Sequence, residues 1–251
     1  MYFDVSPDAY ARFMGRYSEQ LAPAFADLAG VGPGQQALDV GCGPGALTAE
    51  LIRRLGPEAV TAIDPSESFV AADQARWPET DVRLGAAEEL PFTDGAFDVA
   101  LAQLVVHFMA DPVAGLREMG RVTRPGGKVA AAVWDHAGGR GPLTLFWEVA
   151  RDLDPAVDDG SWRAGGAEGE LAKLFTQAGL AVADEAALTV RVRNATFEDW
   201  WDPFTLGVGP AGTYITSLTD ERRAALREHA RQTLTPPIEV SATAWAVTAR
   251  R

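Results

Sequence analysis

The chain has one cysteine, Cys42, in 251 residues. No internal disulfide can form, and a reducing, cytoplasmic location is the expectation. Basic residues are also scarce. Lys and Arg number 22 against 35 Asp and Glu, a net charge of −13. A duplex-binding protein needs a basic footprint, so no nucleic-acid partner is expected. Long hydrophobic runs are missing as well. The longest, Val129 to Trp134, is far too short to span a bilayer. Met1 to Tyr10 carries Asp4 and Asp8 and lacks a basic flank before an apolar stretch, so no targeting segment is expected. The three histidines have no metal spacing, and no cysteine or acidic cluster joins them. No metal site is predicted. Apolar residues, by contrast, are plentiful at 47%, enough for one large α/β domain or one such domain with a small lobe.

Helical spacing opens the chain. Tyr10, Phe13, Met14, Tyr17, Leu21, Phe25 and Leu28 fall near one face, with Ser6 as N-cap and Pro7 at the first helical position. One or two helices are predicted over 7–29, broken by Gly30 to Gly34. Strands and helices then alternate: strands over 37–40, 59–63, 82–84, 97–102 and 128–134, helices over 46–55, 67–77 and 112–122. Arg124 to Gly127 reads as a turn. The strands are short and apolar without alternation, which predicts a parallel sheet covered on both sides. Beyond 136 the character changes. Trp147, Trp162, Trp200, Trp201 and Trp245 fall there. A helix is predicted over 171–178 and a charged helix over 219–232. Antiparallel-style alternation marks 188–192 and 240–248.

The central feature is the segment Asp39-x-Gly41-x-Gly43-x-Gly45 between a strand and a helix. A sharp strand-to-helix reversal that a ligand must approach excludes side chains, and the following helix presents free N–H groups. The pattern alone is ambiguous, because Gly41-x-Gly43-x-x-Ala46 also satisfies a dinucleotide fingerprint. Asp64, 19 residues past Gly45 at the end of the next strand, suits a ribose in either case. Two features favour another ligand. Asp39 precedes the first glycine by two residues and suits an ammonium group. Pro44 removes an N–H where a pyrophosphate would want one.

The run Ala37 to Thr48 resembles the first motif of class I S-adenosylmethionine-dependent methyltransferases. Ile63 to Ser66 is similar to their second motif, and Gly85 to Phe92 to their third. Phe97-Asp98, His107, Asp111-Pro112 and Glu118 to Gly127 are similar to the stretch around their fourth and fifth strands. The resemblance covers about residues 30–135 and is closest to the small-molecule branch typified by ubiquinone/menaquinone-type enzymes. It implies a Rossmann-like α/β fold: a seven-stranded, mostly parallel sheet with an antiparallel last strand, helices on both faces and an N-terminal helical cap. It implies a single domain over 1–251, with a lid over 1–30, a cofactor-binding half over 31–135, and a substrate-binding, sheet-completing half over 136–251. The expected partner is a small-molecule acceptor, and the protein is expected to act as a monomer or homodimer.

The implied roles fall on particular residues. Asp39 and the Gly41 carbonyl would orient the methionine ammonium, and Gly43 and Gly45 would let the cofactor approach. Asp64 and Pro65 would lie at the ribose, Ala87 and Glu88 at the adenine, and Gln103 at the methionine moiety. Arg16, on the lid, would pair with the methionine carboxylate. The product would be S-adenosylhomocysteine. The chain departs from the family at Ala86, where an aspartate often meets the adenine amino group. His107 is the candidate general base for an acceptor hydroxyl, and His136 is placed at the mouth of the site. Trp200 and Trp201 cannot point the same way on a helix, so one could face a cleft as an aromatic wall, but plain packing of a small lobe on the sheet is the favoured expectation. Cys42 reads as a small residue in a tight turn rather than a nucleophile. The remaining alternatives are a nicotinamide-dependent oxidoreductase and a non-catalytic S-adenosylmethionine-binding protein. Against the oxidoreductase, the Tyr-x-x-x-Lys pair of short-chain reductases is missing.

Overall fold

Ser6 accepts a hydrogen bond from the Ala9 N–H, and Pro7 takes the first helical position, so the N-terminal helix starts where its cap signals place it. The computed structural model describes residues 6–160 and 164–251; Asp4 and Trp162, named above, lie outside them. Helix α1, Pro7–Tyr10, passes through a π-helical turn, Ala11–Gly15, into α2, Arg16–Ala29. Gly30, in the left-handed conformation, ends α2. Leu21 and Phe25 of α2 are fully buried against the sheet, each worth about 1.5–3 kcal/mol.

The alternating half follows the reading closely. β1 is Ala37–Val40, α3 Ala46–Leu55, β2 Val60–Asp64, α4 Glu67–Arg76 and β3 Asp81–Leu84. β4 is Phe97–Gln103, α5 Pro112–Val122 and β5 Thr123–Trp134. Asp111 caps α5 by accepting from the Ala114 N–H. Arg124 to Gly127, read as a turn, sit within β5 as an irregularity, exposed at Arg124, Pro125 and Gly126 and buried at Gly127. Phe97 pairs with Thr123 and Val99 already with Lys128, so the ladder skips these residues. β3 corrects the expectation of strands buried on both faces. It is the sheet edge, and Leu84 is 51% exposed.

The second half adds α6 Thr144–Leu153, α7 Glu170–Gln177, β6 Ala181–Asn194, α8 Phe197–Trp201, α9 Gly209–Ser217, α10 Asp220–Thr233 and β7 Ile238–Arg250. The sheet order is β3-β2-β1-β4-β5-β7-β6, with β7 antiparallel to both neighbours. β6 is far longer than the predicted 188–192. Its first residues are mostly exposed on the outer edge, so they carry no burial alternation although they pair with β7 throughout. Helix α6 has no side-chain N-cap, and α9 contains Gly209 and Gly212, so neither announces itself by the usual signals. One core lies between the sheet and α2, α3, α6, α8, α9 and α10. A second lies on the other face under α5 and α7. No described helix is long and apolar enough to cross a membrane.

Candidate functional site

β1 delivers Asp39 and then the loop at the carboxyl edge of the sheet, where open α/β sheets hold ligands. The Gly41 and Cys42 N–H groups both donate to the Ile63 carbonyl at 2.7 and 3.1 Å, which ties the loop to β2. Gly41 has φ +72°, and a Cβ on it would lie 2.5 Å from both Val105 methyls. Gly45 has φ +80°, and its Cβ would lie 2.3 Å from the Trp77 ring. Gly45 therefore packs closely on Trp77 and Asp73, while its neighbours Pro44 and Ala46 line the pocket. Gly43 leaves open space where its side chain would be and does line the pocket.

The pocket above the loop runs from Asp39, Ser18 and Gln103 to Asp64, Pro65, Ser66 and Phe69, and Tyr10, Leu104 and Phe108 also line it. Asp39 is 1% exposed and accepts from the Thr48 hydroxyl at 2.7 Å. Burial, helped by the charges of Asp73 and Asp64, pushes its carboxyl up to about 7 despite that hydrogen bond. Asp64 accepts from the Gly43 N–H and the Ser66 N–H, both at 2.8 Å. Burial raises its pKa, and the two N–H donors oppose the rise. Gln103 donates through Nε2 to the Ser18 carbonyl at 3.0 Å. Its Oε1 is buried with no hydrogen-bond partner among the described residues, an arrangement that calls for a donor.

Behind the loop, buried Asp73 of α4 accepts from the Cys42 thiol, and burial pushes its carboxyl up to about 7. Burial, then the charges of Asp39, Asp64 and Asp73, holds the Cys42 thiol well above its usual range, so it stays protonated and inert. Thr48, Asp73 and Ser18 escaped the sequence reading. Thr48 sits in the quoted first motif, but Asp73 and Ser18 carry no local signal.

Leu104 is the only non-glycine residue with positive φ among the described residues, at +65°. Such a backbone costs on the order of 1–3 kcal/mol and clusters at functional sites. It stands between the first pocket and a second one. Tyr10, Leu104 and Phe108 line both pockets, and His107 and His136 line the second.

Several expected site residues lie elsewhere. Arg16 donates to the Asp199 carbonyl at 2.9 Å and to Asn194, holding α2 to the end of β6 and to α8. Ala87 is buried in the core under α5. Glu88 accepts from the Ala110 and Asp111 N–H groups at 2.7 and 3.2 Å, shaping the entry to α5. None of the three lines either pocket. Trp200 and Trp201 are both 2% exposed and packed in the core, so neither walls a cleft. No group of metal-ligating side chains occurs among the described residues.

Residues 38–131 match the family model of a methyltransferase domain. A Streptomyces fradiae protein, an uncharacterized 37.1 kDa protein in transposon TN4556, is 35% identical over 176 residues, covering 66% of this chain and 49% of that protein. The demethylmenaquinone methyltransferase of Beutenbergia cavernae is 35% identical over 130 residues, 52% of each chain. The chain thus spans about half the length of these curated relatives. Among solved structures, the geranyl diphosphate C-methyltransferase of Streptomyces coelicolor, bound to Mg2+, geranyl diphosphate and S-adenosylhomocysteine, superposes with a TM-score of 0.56. It is 17% identical, with 94% of this chain and 80% of that one covered, a likeness of fold. The family match thus places a methyltransferase domain over residues 38–131 of this chain.

Proposed function

We propose that the chain transfers a methyl group from S-adenosylmethionine to a small-molecule acceptor. The observation that carries this reading is the charge of the first pocket. Two carboxylates and an unsatisfied amide oxygen line it, and no Lys, Arg or His does so among the described residues. A nicotinamide dinucleotide brings a pyrophosphate, which wants cationic or N–H donors. A ligand with an ammonium and a sulfonium meets what is there.

When bound, S-adenosylmethionine supplies a methyl carbon on a positive sulfur, open to in-line displacement. Asp39 and Gln103 hold the ammonium, and Asp64 accepts from the ribose hydroxyls. Tyr10, Leu104 and Phe108, shared by both pockets, keep water from the transfer point. Holding donor and acceptor collinear is worth roughly 7–11 kcal/mol of barrier, so no extended acid–base array is required. His107 takes the proton of a hydroxyl acceptor. In this reading 1–251 act as one domain, with the N-terminal helices as lid and 136–251 supplying the acceptor wall. The Beutenbergia relative, by its name, also points to a small acceptor. The family match does not reach residues 1–37 and 132–251, where acceptor choice is made.

Calorimetric titration with S-adenosylmethionine and with NADH tests the reading. Binding of the first alone is the expected result; binding of NADH alone would overturn it. Asp64→Ala is expected to weaken S-adenosylmethionine binding by about 1–3 kcal/mol, the range for hydrogen bonds to a charged group. An affinity equal to wild type would place the ribose elsewhere.

A further inference from the structure

We infer that His107 and His136 together carry a proton out of the second pocket, and that this pocket takes an apolar acceptor with a weakly acidic hydroxyl, of the phenol or enol class. The inference rests on the methyl-transfer reading. His107 lies in the short 3-10 turn Val106–Phe108 just after β4, and His136 follows β5. β4 and β5 are parallel neighbours, paired up to Gln103 and Ala132, so both turns leave the sheet at the same edge as the glycine loop. The two imidazoles meet edge to face, with ring centroids 5.3 Å apart.

The two rings face different surroundings. His107 lines the second pocket, whose wall is otherwise mostly apolar, with Phe13, Met14, Trp134 and Leu143, and which holds one acidic side chain, Asp159. His136 lines that pocket and also a polar hollow beside it, with Glu148, Arg151 and Asp159. One imidazole thus serves the reaction chamber, and the other joins the chamber to a wet, charged exit. The Trp134 indole N–H is buried with no partner among the described residues, so an oxygen on the bound molecule would satisfy it.

The remaining charges narrow the acceptor. Asp159 is paired with Arg151, and Asp135, next to His136 in the chain, is paired with Arg140. Glu148 belongs to the polar hollow. Tyr10 faces the chamber from α1, and burial raises its phenol, so it stays neutral. No unpaired anion of the chamber wall receives a cationic amine. A neutral hydroxyl releases a proton on methylation: the O–C bond forms, the C–S bond breaks with its pair going to sulfur, and the O–H proton passes to His107 and then His136. An imidazole near ~6.5 assists a phenol near ~10 as its oxygen attacks, but is poorly matched to a far less acidic aliphatic alcohol.

The test uses the full chain, S-adenosylmethionine and para-substituted phenols from 4-methoxyphenol to 4-nitrophenol, reading S-adenosylhomocysteine release from pH 5.5 to 8.5. S-adenosylmethionine binding is measured first by calorimetry for wild type, His107→Gln and His136→Gln. With binding retained, His107→Gln is expected to slow 4-methoxyphenol by roughly a hundredfold, and His136→Gln by about tenfold, the smaller share of a group acting at second hand. At about pH 8.5, where 4-nitrophenol is largely ionised, it should slow by less than about threefold in both, since the anion has no proton to lose. Loss of equal size across the phenol series, no loss in His136→Gln, or a donor-bound wild type that methylates no phenol would each overturn the inference. A wild type that does not bind S-adenosylmethionine would instead bring down the reading beneath it.

Discussion

Asp39→Asn is expected to weaken S-adenosylmethionine binding by about 3 kcal/mol near neutral pH, more than a hundredfold, because it leaves a buried cationic group without its counter-charge. The substitution is nearly isosteric, and the asparagine oxygen can still accept from Thr48, 2.7 Å from the native carboxylate. The loss therefore reports charge and not a collapsed loop. Its pH dependence has a definite sign. Burial raises the Asp39 carboxyl from an ordinary 3.8 to about 7 in the folded chain. Between those values the folded state holds a proton that the unfolded state has lost. Stability of the unliganded protein thus falls as pH rises from about 4 to about 7, and stays at its lower level above that. A cationic ligand selects the ionised form, so affinity climbs by up to about tenfold per unit below 7 and then levels off. Above about 8 the ligand's own amino group loses its proton, so pH 5.5–7.5 is the useful window. In Asp39→Asn the unliganded protein should melt higher at pH 7.5 than wild type, and the affinity curve should be flat. Asp73→Asn is the control. Asp73 has the same raised pKa but sits behind the loop and does not line the pocket, so its replacement should change melting while the affinity slope persists. Calorimetric titration and thermal melts across the window decide the matter. A wild-type slope retained in Asp39→Asn would show that the ammonium is held by another group.

The parts of this site legible in the sequence are those fixed by chain-local geometry. Asp39, the glycines and Asp64 stand at the ends of consecutive parallel strands, where spacing alone puts them at one edge. Spacing does not reveal that the missing side chain of Gly45 also answers to Trp77, the residue that ends the next helix. Residues whose roles depend on helix rotation or tertiary packing are not legible. The π-helical turn at Ala11–Gly15 precedes Arg16, and α2 packs with its guanidinium on Asn194 and Asp199, partners far away in the chain. That one oxygen of Glu88, Oε1, is held by the Ala110 and Asp111 N–H groups is likewise invisible in the sequence. Two adjacent tryptophans on an ordinary amphipathic helix face different sides. Trp200 and Trp201 share a five-residue helix enclosed by Phe197, Phe204 and β6, so both bury. The meeting of His107 with His136 requires knowing that β4 and β5 are neighbours. The family resemblance implies that sheet order; composition and periodicity do not.

The second large effect concerns folding, not binding. Gly41→Ala is expected to destabilise the protein by about 2–5 kcal/mol, from about 1–2 for an L-residue in the left-handed region and about 1–3 for overpacking. The glycine has φ +72°, and the added methyl would sit 2.5 Å from two Val105 carbons and 3.1 Å from a third. Valine is short and stiff at χ1, so relief must come from the backbone. That backbone is already committed: Leu104 is held at φ +65°, with its N–H on the Ala132 carbonyl at 2.8 Å. Gly41 cannot retreat either, because its own N–H donates to Ile63. A domain stable by about 5–15 kcal/mol would lose a large share of its margin. Gly43→Ala provides the contrast. Its φ is +56°, but its Cβ would meet nothing within 4 Å, so it should lose only about 1–2 kcal/mol of stability while losing donor binding, since the methyl enters the pocket that Gly43 lines. Val105→Ala in the Gly41→Ala background removes the two 2.5 Å contacts but not the one at 3.1 Å, and should restore part of the loss. Urea unfolding of the four variants, with the coupling taken from the double-mutant cycle, measures this. Simple additivity between Gly41→Ala and Val105→Ala would show that the two side chains do not compete for space. Glycine would then be required there by its φ alone, and the turn that builds the donor pocket would owe nothing to the strained junction at Leu104 and Val105.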